Sequence, residues 1–219
     1  MEHFYGTGQQ QGTQQWGQQW GTQQFGGTQQ AMNQQFGAHE ILMTHQVLSH
    51  KIDSINIFEL LQPHIKDTQL RTIYDNQLRH MVQGYETLVN YIHQRGAGQA
   101  MSYHGSLRQS VKYGLRNPSP SYPNANAQQM DDRDVASIMM GCAKAAASMC
   151  THTALECADF GLRRMMMDCV TSAINQAYEL FQYMNQKGYY QVPTLQQNTT
   201  NTMVNSYQAG GGVMPQSIM

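Results

Sequence analysis

The sequence predicts an all-α fold: four long helices in two antiparallel hairpins, joined by a long crossover and flanked by disordered tails. Three observations carry that reading. Apolar residues recur at helical spacing over four stretches between residues 38 and 190. Pro63, Gly96, Asp159-Phe160-Gly161 and Gly188 punctuate those stretches where helices should stop or turn. The second pair of stretches also repeats the first at an offset of 92 residues, laying Leu70-Arg71 on Leu162-Arg163 and the run Leu88 to Gly96 on Leu180 to Gly188.

Residues 1–36 form a low-complexity arm. Gly-Thr-Gln-Gln recurs at 12–15, 21–24 and 27–30, with Trp16, Trp20 and Phe25 interleaved, and no Lys or Arg precedes Lys51. Such a segment buries too little apolar surface to offset the entropy of ordering it. It reads either as a solubilising tail or as a self-associating, prion-like arm.

The folded part is expected over 38–190, as a hairpin at 38–96, a crossover at 97–129 and a second hairpin at 130–190. Helix one spans about 38–62, with Ile41, His45, Leu48, Ile52, Ile55 and Glu59 on one stripe. Helix two, about 69–95, is N-capped by Asp67 and turns Leu70, Ile73, Tyr74, Gln77, Met81, Gly84, Leu88, Tyr91 and Ile92 inward. Residues 97–129 are Gly-, Ser-, Pro- and Asn-rich, with room for a short helix only at 106–116. A helix of about 26 residues is about 39 Å long. A linker of thirty-odd residues at up to ~3.3 Å each can cross that length and start helix three parallel to helix two.

Helix three, about 131–158, opens with Asp131, Asp132 and Asp134, favourable to its dipole. Its inward stripe is Val135, Ile138, Met139, Cys142, Ala146, Met149, Cys150, Thr153 and Cys157. Helix four, about 160–187, is capped by Asp159 and turns in Leu162, Met165, Met166, Cys169, Ala173, Gln176, Leu180, Tyr183 and Met184. The Gln-, Asn- and Thr-rich tail at 191–219 is expected to lack regular structure. Two hairpins with one long crossover describe a ferritin-like bundle.

Composition removes several functions. Charge is sparse at 12 % and sums to −1, so neither nucleic acid nor an anionic membrane is an expected partner. The small and apolar run from Ile138 to Cys150 is interrupted by Lys144 and is too short to span a bilayer. The opening Met-Glu-His-Phe-Tyr-Gly lacks the basic and apolar regions of a signal peptide, which implies synthesis in a cytoplasm.

Bundles of this class commonly hold two metals between a Glu on each of two helices and Glu-x-x-His on the others. The residues three after Glu40, Glu59, Glu86, Glu156 and Glu179 are Met43, Gln62, Val89, Asp159 and Gln182, and none is His. Glu86 is expected to point away from the core and Glu179 to lie at a flank. His45 and Glu59 are about 21 Å apart along their helix, too far to share a metal. His152 and Glu156, four residues apart, suit a surface ion pair. Cys142, Cys150 and Cys157 share one face of helix three, and Cys169 faces inward on helix four. They read as small core hydrophobes or, alternatively, as cross-links between subunits. No catalytic residue, cofactor site or metal site is assigned.

The elements Asp132-Arg133-Asp134-Val135-Ala136, Ala143-Lys144, Leu162-Arg163-Arg164, Ala173-Ile174 and the ending Tyr183-Met184-Asn185-Gln186-Lys187-Gly188-Tyr189-Tyr190 resemble the spore coat protein F family. The resemblance covers about 60 residues closely, and 38–96 more loosely as a related hairpin. It implies a ferritin-like helical domain in the endospore coat, with other coat proteins and further copies of itself as partners and no catalytic residues. The Met- and Cys-rich third helix and the Gln-rich arm depart from the family pattern. Three functions are then open: a structural, non-enzymatic coat component, self-associating or cross-linked; a metal- or oxidant-handling protein using His45, His152, Glu156 or the cysteines; and a partner-binding module docking through Met139 and Met149.

Overall fold

The computed structural model describes residues 36–93, 102–118, 120, 123–124 and 126–209. The expected arm at 1–36 lies outside them except for Phe36. Four long helices are present: α1 (Ala38–Leu61), α2 (Thr68–Ile92), α3 (Asp132–Glu156) and α4 (Phe160–Lys187). A fifth, α5 (Gln197–Asn205), lies exposed along nearly its whole length. It corrects the expectation of an irregular tail over those nine residues.

Helix starts follow the capping chemistry. Asp67 accepts from the Gln69 and Leu70 N–H groups, and Asp131 from those of Arg133 and Asp134. Asp159 accepts from Leu162. At the far end of α4, Gly188 takes φ +80°, the left-handed value that lets a helix close without a Cβ clash.

Contacts between helix ends fix the topology. The start of α1 meets the end of α3, because Glu40 Oε2 accepts from the Ala158 and Asp159 N–H groups at 2.8 and 2.9 Å. The starts of α2 and α3 meet, because Asp132 Oδ1 accepts from Lys66 N and Asp67 N at 2.8 and 3.1 Å. The end of α4 meets the start of α2 through a Lys187–Asp67 ion pair. The end of α2 meets the start of α4, where Tyr91 donates to Asp159. Hence α2 and α3 run parallel on a diagonal, and α1 and α4 each pack against both of them, antiparallel.

These contacts obey the 92-residue offset. Glu40 corresponds to Asp132, Lys66-Asp67 to Ala158-Asp159, and Tyr91 to Tyr183, which lies beside Asp67. Each hairpin therefore offers the carboxylate near the start of its first helix to the turn of the other. The core splits along the same axis. One cluster holds Phe58, Leu70, Ile73, Tyr74, Val135, Met139, Leu180 and Tyr183, and the other Val47, Leu88, Cys150, Leu162 and Met166.

The crossover does not form the helix that 106–116 allowed. Residues 103–116 lie along α4 and are held by a polar stripe on that helix, and Ala127–Gln129 form a 3-10 turn ahead of α3. Tyr103 N donates to Ser172 Oγ and Asn175 Nδ2 to Tyr103 O. Asn185 takes the Lys112 N–H and donates to the Lys112 carbonyl, as a neighbouring strand would. Gln182 and Gln186 donate to the carbonyls of Gln109 and Ser110. Under this strap lies Glu179, 1 % exposed, not at an open flank as expected. Its carboxylate accepts from the Tyr103 hydroxyl, Gln77 Nε2, Ser106 N and Ser106 Oγ.

The residues expected to face inward on α2, α3 and α4 are buried or half-buried apart from Ile138, which is exposed, but Ala136, Met140 and Ala143 on α3 and Ser172, Glu179, Gln182 and Asn185 on α4 are buried as well. The stripe of α1 does not. Its buried residues are Glu40, Thr44, Val47, Ser54, Phe58 and Leu61, while His45 and Glu59 are exposed and Ile41 and Ile52 face outward. Aliphatic side chains ring α1, so apolar spacing alone could not choose the buried face.

Glu40→Ala should cost about 1.5–3 kcal/mol, because a buried carboxylate that accepts from two part-buried N–H groups is lost, whereas Asp132→Ala, at a half-exposed site that water can enter, should cost about 1 kcal/mol. Urea unfolding of both variants checks the contrast. Tyr103→Phe keeps the ring and removes one hydrogen bond to a buried carboxylate, a loss of about 1.5–3 kcal/mol, and should speed proteolysis within 102–116.

Candidate functional site

The four helices enclose a cavity of about 370 Å³ at mid-bundle. Each lends one face at i, i+3, i+4, i+7 spacing: Val47, His50, Lys51 and Ser54 from α1, Gln77, His80, Met81 and Gly84 from α2, Met139, Cys142, Ala143 and Ala146 from α3. Helix α4 adds Met165, Met166, Cys169, Ser172, Ala173 and Gln176. The space exists because Ser54, Gly84, Ala143, Ala146 and Ala173 put short side chains at one level. Polar Gln83, Glu86, Asn90 and Asp168 line it on the outer side.

Lys51 reaches inward from α1 until its Nζ lies 3.5 Å from where a Cβ on Gly84 would stand. Among the described residues no carboxylate oxygen comes within 4 Å of that ammonium. Its neighbours are thiols. Cys169 packs against the apolar cluster that holds Cys150, and Lys51 lines the same cavity as Cys169. The Cys150 thiol, then the Lys51 charge, hold Cys169 below the ordinary thiol range against the opposing effect of burial. Cys169 and burial push Cys150 up.

The other titratable groups behave differently. Burial, then the Lys51 charge, lowers His80, whose ring packs edge-on against Tyr103 with centroids 5.3 Å apart. That histidine is neutral at pH 7. Burial raises Cys142, and burial with the Glu40 and Asp159 carboxylates pushes Cys157 up to about 11. Gln176, 6 % exposed, leaves its Nε2 without an acceptor among the described residues.

The structure disperses several residues that the sequence brought forward. His45 lies on the outer face of α1, and Glu59 is exposed on the same helix. His152 and Glu156 are both exposed, and Glu156 Oε2 lies 3.7 Å from His39 Nδ1. Met139 is 0 % exposed, so it forms part of the core rather than a docking surface. Among the described residues no three His, Cys, Asp or Glu side chains converge on a point that could hold a metal. Of the four cysteines, the fold joins Cys150 with Cys169. Lys51 escaped sequence reading because the face of α1 was misassigned; anchoring that face on its one aromatic residue, Phe58, would have turned Lys51 inward.

Comparison with known proteins gives three matches. Residues 131–193 match the Coat F domain family. Spore coat protein F-like protein YhcQ of Bacillus subtilis (strain 168) is 28 % identical over 179 residues, covering 81 % of this chain and 82 % of that one. The fold matches a crystal structure from Bacillus halodurans C-125, described as that of a candidate spore coat protein. There the TM-score is 0.54 with 15 % identity, over 74 % of this chain and 95 % of the other, so the likeness is one of fold.

With limiting iodoacetamide at pH 8, Cys169 should be alkylated first, because only a thiolate attacks. Cys142, Cys150 and Cys157, with raised pKa values, should follow later. Peptide mapping of the alkylated chain reads the order.

Proposed function

We propose that this chain, whose residues 131–193 match the Coat F domain family, is a structural component of the bacterial endospore coat. It would be made in the mother-cell cytoplasm and then built into the envelope, beside other coat proteins and copies of itself. The match of the second hairpin to the Coat F family carries the reading. The relative named for the spore coat spans both hairpins, which extends that support to the whole bundle.

The described surface supports a building-block role. Ile41, Leu42, Ile52 and Leu60 on α1 are 39–73 % exposed, an apolar supply suited to self-association. Tyr113, Tyr178 and Tyr207 are more than half exposed and offer phenols for covalent coupling between neighbours. The cysteines suit that purpose less, since Cys150 is buried and the rest are half-buried. No helix among the described residues is long and apolar enough to cross a membrane. The alternative, metal handling through His45, His152, Glu156 or the cysteines, needs donors to converge, and the described residues hold no such group.

Extraction of purified spores tests the proposal. The protein should stay with the coat under mild washing and come off in denaturant, with little dependence on reductant. Its absence from purified spores would sink the reading. So would a purified chain that remains monomeric at high concentration, as far as self-association is concerned.

A further inference from the structure

We propose that Cys150 and Cys169 form a peroxide-reactive dithiol, in which Cys169 attacks a hydroperoxide in the central cavity and Cys150 closes an intramolecular disulfide. Neither the structural role above nor the matched relatives imply this reaction.

Four features of the bundle carry it. The two thiols belong to one packed cluster and come from the two helices that pack together most extensively. They are placed asymmetrically: Cys169 is half-buried on the cavity wall, and Cys150 is 1 % exposed in the core behind it. That is the order an attacking thiol and a resolving thiol need. Lys51 supplies a cation on the cavity that Cys169 also lines, with no carboxylate within 4 Å among the described residues. Gln176 Nε2, a donor without a partner among the described residues, lines the same cavity, as an oxygen-rich guest would require.

The chemistry balances within the site. The Cys169 thiolate attacks one peroxide oxygen, an S–O bond forms and the O–O bond breaks. The departing alkoxide or hydroxide takes a proton, for which the Lys51 ammonium is the nearest source. Cys169 is now a sulfenic acid. The Cys150 sulfur attacks it, an S–S bond forms, the S–O bond breaks, and water leaves with the Cys150 proton. One hydroperoxide and two thiols become one alcohol or water, one further water and one disulfide. Lys51 regains its proton from solvent. The two sulfurs, packed in one cluster, close to the usual ~2.05 Å bond.

The other cysteines are poor candidates for the same step. Cys142 lies beside Ser54, and Cys157 lies at the bundle end facing Glu40 and Asp159, whose charges oppose a thiolate. The remaining titratable groups around the cavity are His50, His80, Glu86 and Asp168.

The test uses the full chain, reduced, desalted and given one equivalent of hydrogen peroxide. The expected product is a monomer that has lost two hydrogens, with the Cys150 and Cys169 peptides linked in a non-reducing map. Cys150→Ser should stop at a sulfenic acid on Cys169 that dimedone captures. Lys51→Met should slow the reaction about twofold at pH 7, the effect on the thiolate fraction of raising a low thiol pKa by roughly one unit. Cys157→Ser, at a residue outside the cavity, should leave the rate unchanged. A disulfide joining two chains, a first adduct on Cys142 or Cys157, or a Cys169 rate no greater in the native than in the urea-unfolded chain would each overturn the proposal. The wild-type map and that native-to-unfolded comparison need no variant, so a misfolded substitution cannot hide the answer.

Discussion

Two carboxylates hold the halves of this bundle together, and the remaining geometry depends on where they sit. Glu40 reaches the turn between α3 and α4, and Asp132 the turn between α1 and α2. Each accepts two N–H groups that no helix satisfies at those turns, so hairpin contact and turn satisfaction are one event. Longitudinal register follows from this. With both ends pinned, the inward faces of four helices meet at one level, and the short side chains there leave a cavity. Gly161 shows how tight the pinned end is, since a Cβ there would fall within 3 Å of Tyr91, whose hydroxyl donates to Asp159.

The crossover uses a different solution. An extended segment on a helix has no ladder of backbone partners, and α4 supplies one from its side chains: Ser172, Asn175, Glu179, Gln182, Asn185 and Gln186. Glu179 is the costliest member, a carboxylate out of water. Four neutral donors from the strap and from α2 surround it. The strap thereby belongs to the fold, although it carries no regular structure.

Much of this was legible in the residues. Periodicity placed α2, α3 and α4 and most of their buried apolar residues, although Ile138, Met167 and Ile174 lie outside and Ser172, Glu179, Gln182 and Asn185 inside. It failed for α1, where Ile41, Leu42, Ile52 and Leu60 lie on the outside and Glu40 and Ser54 on the inside. A buried carboxylate with distant partners breaks the pattern for a reason that local sequence does not contain. Glu179 escaped in the same way, because its donors Tyr103 and Ser106 lie in a segment whose path no periodicity describes. The cavity was half legible. Cys169 and Gln176 fall on the α4 stripe, but the meeting of Lys51 with Cys169 needed the correct face of α1, and the pairing of Cys150 with Cys169 needed the register of two helices.

The reciprocal end contacts also bear on how the chain assembles itself. Two hairpins that each give a carboxylate to the other's turn stand to one another as protomers of an isologous dimer do, with residue i meeting j and its counterpart returning the contact. Tethering such halves makes their meeting unimolecular, at an effective concentration in the millimolar range for short flexible linkers. The crossover thus acts as a dilution guard as well as a cover. Whatever the protein's abundance at the moment of synthesis, each hairpin has its partner within reach.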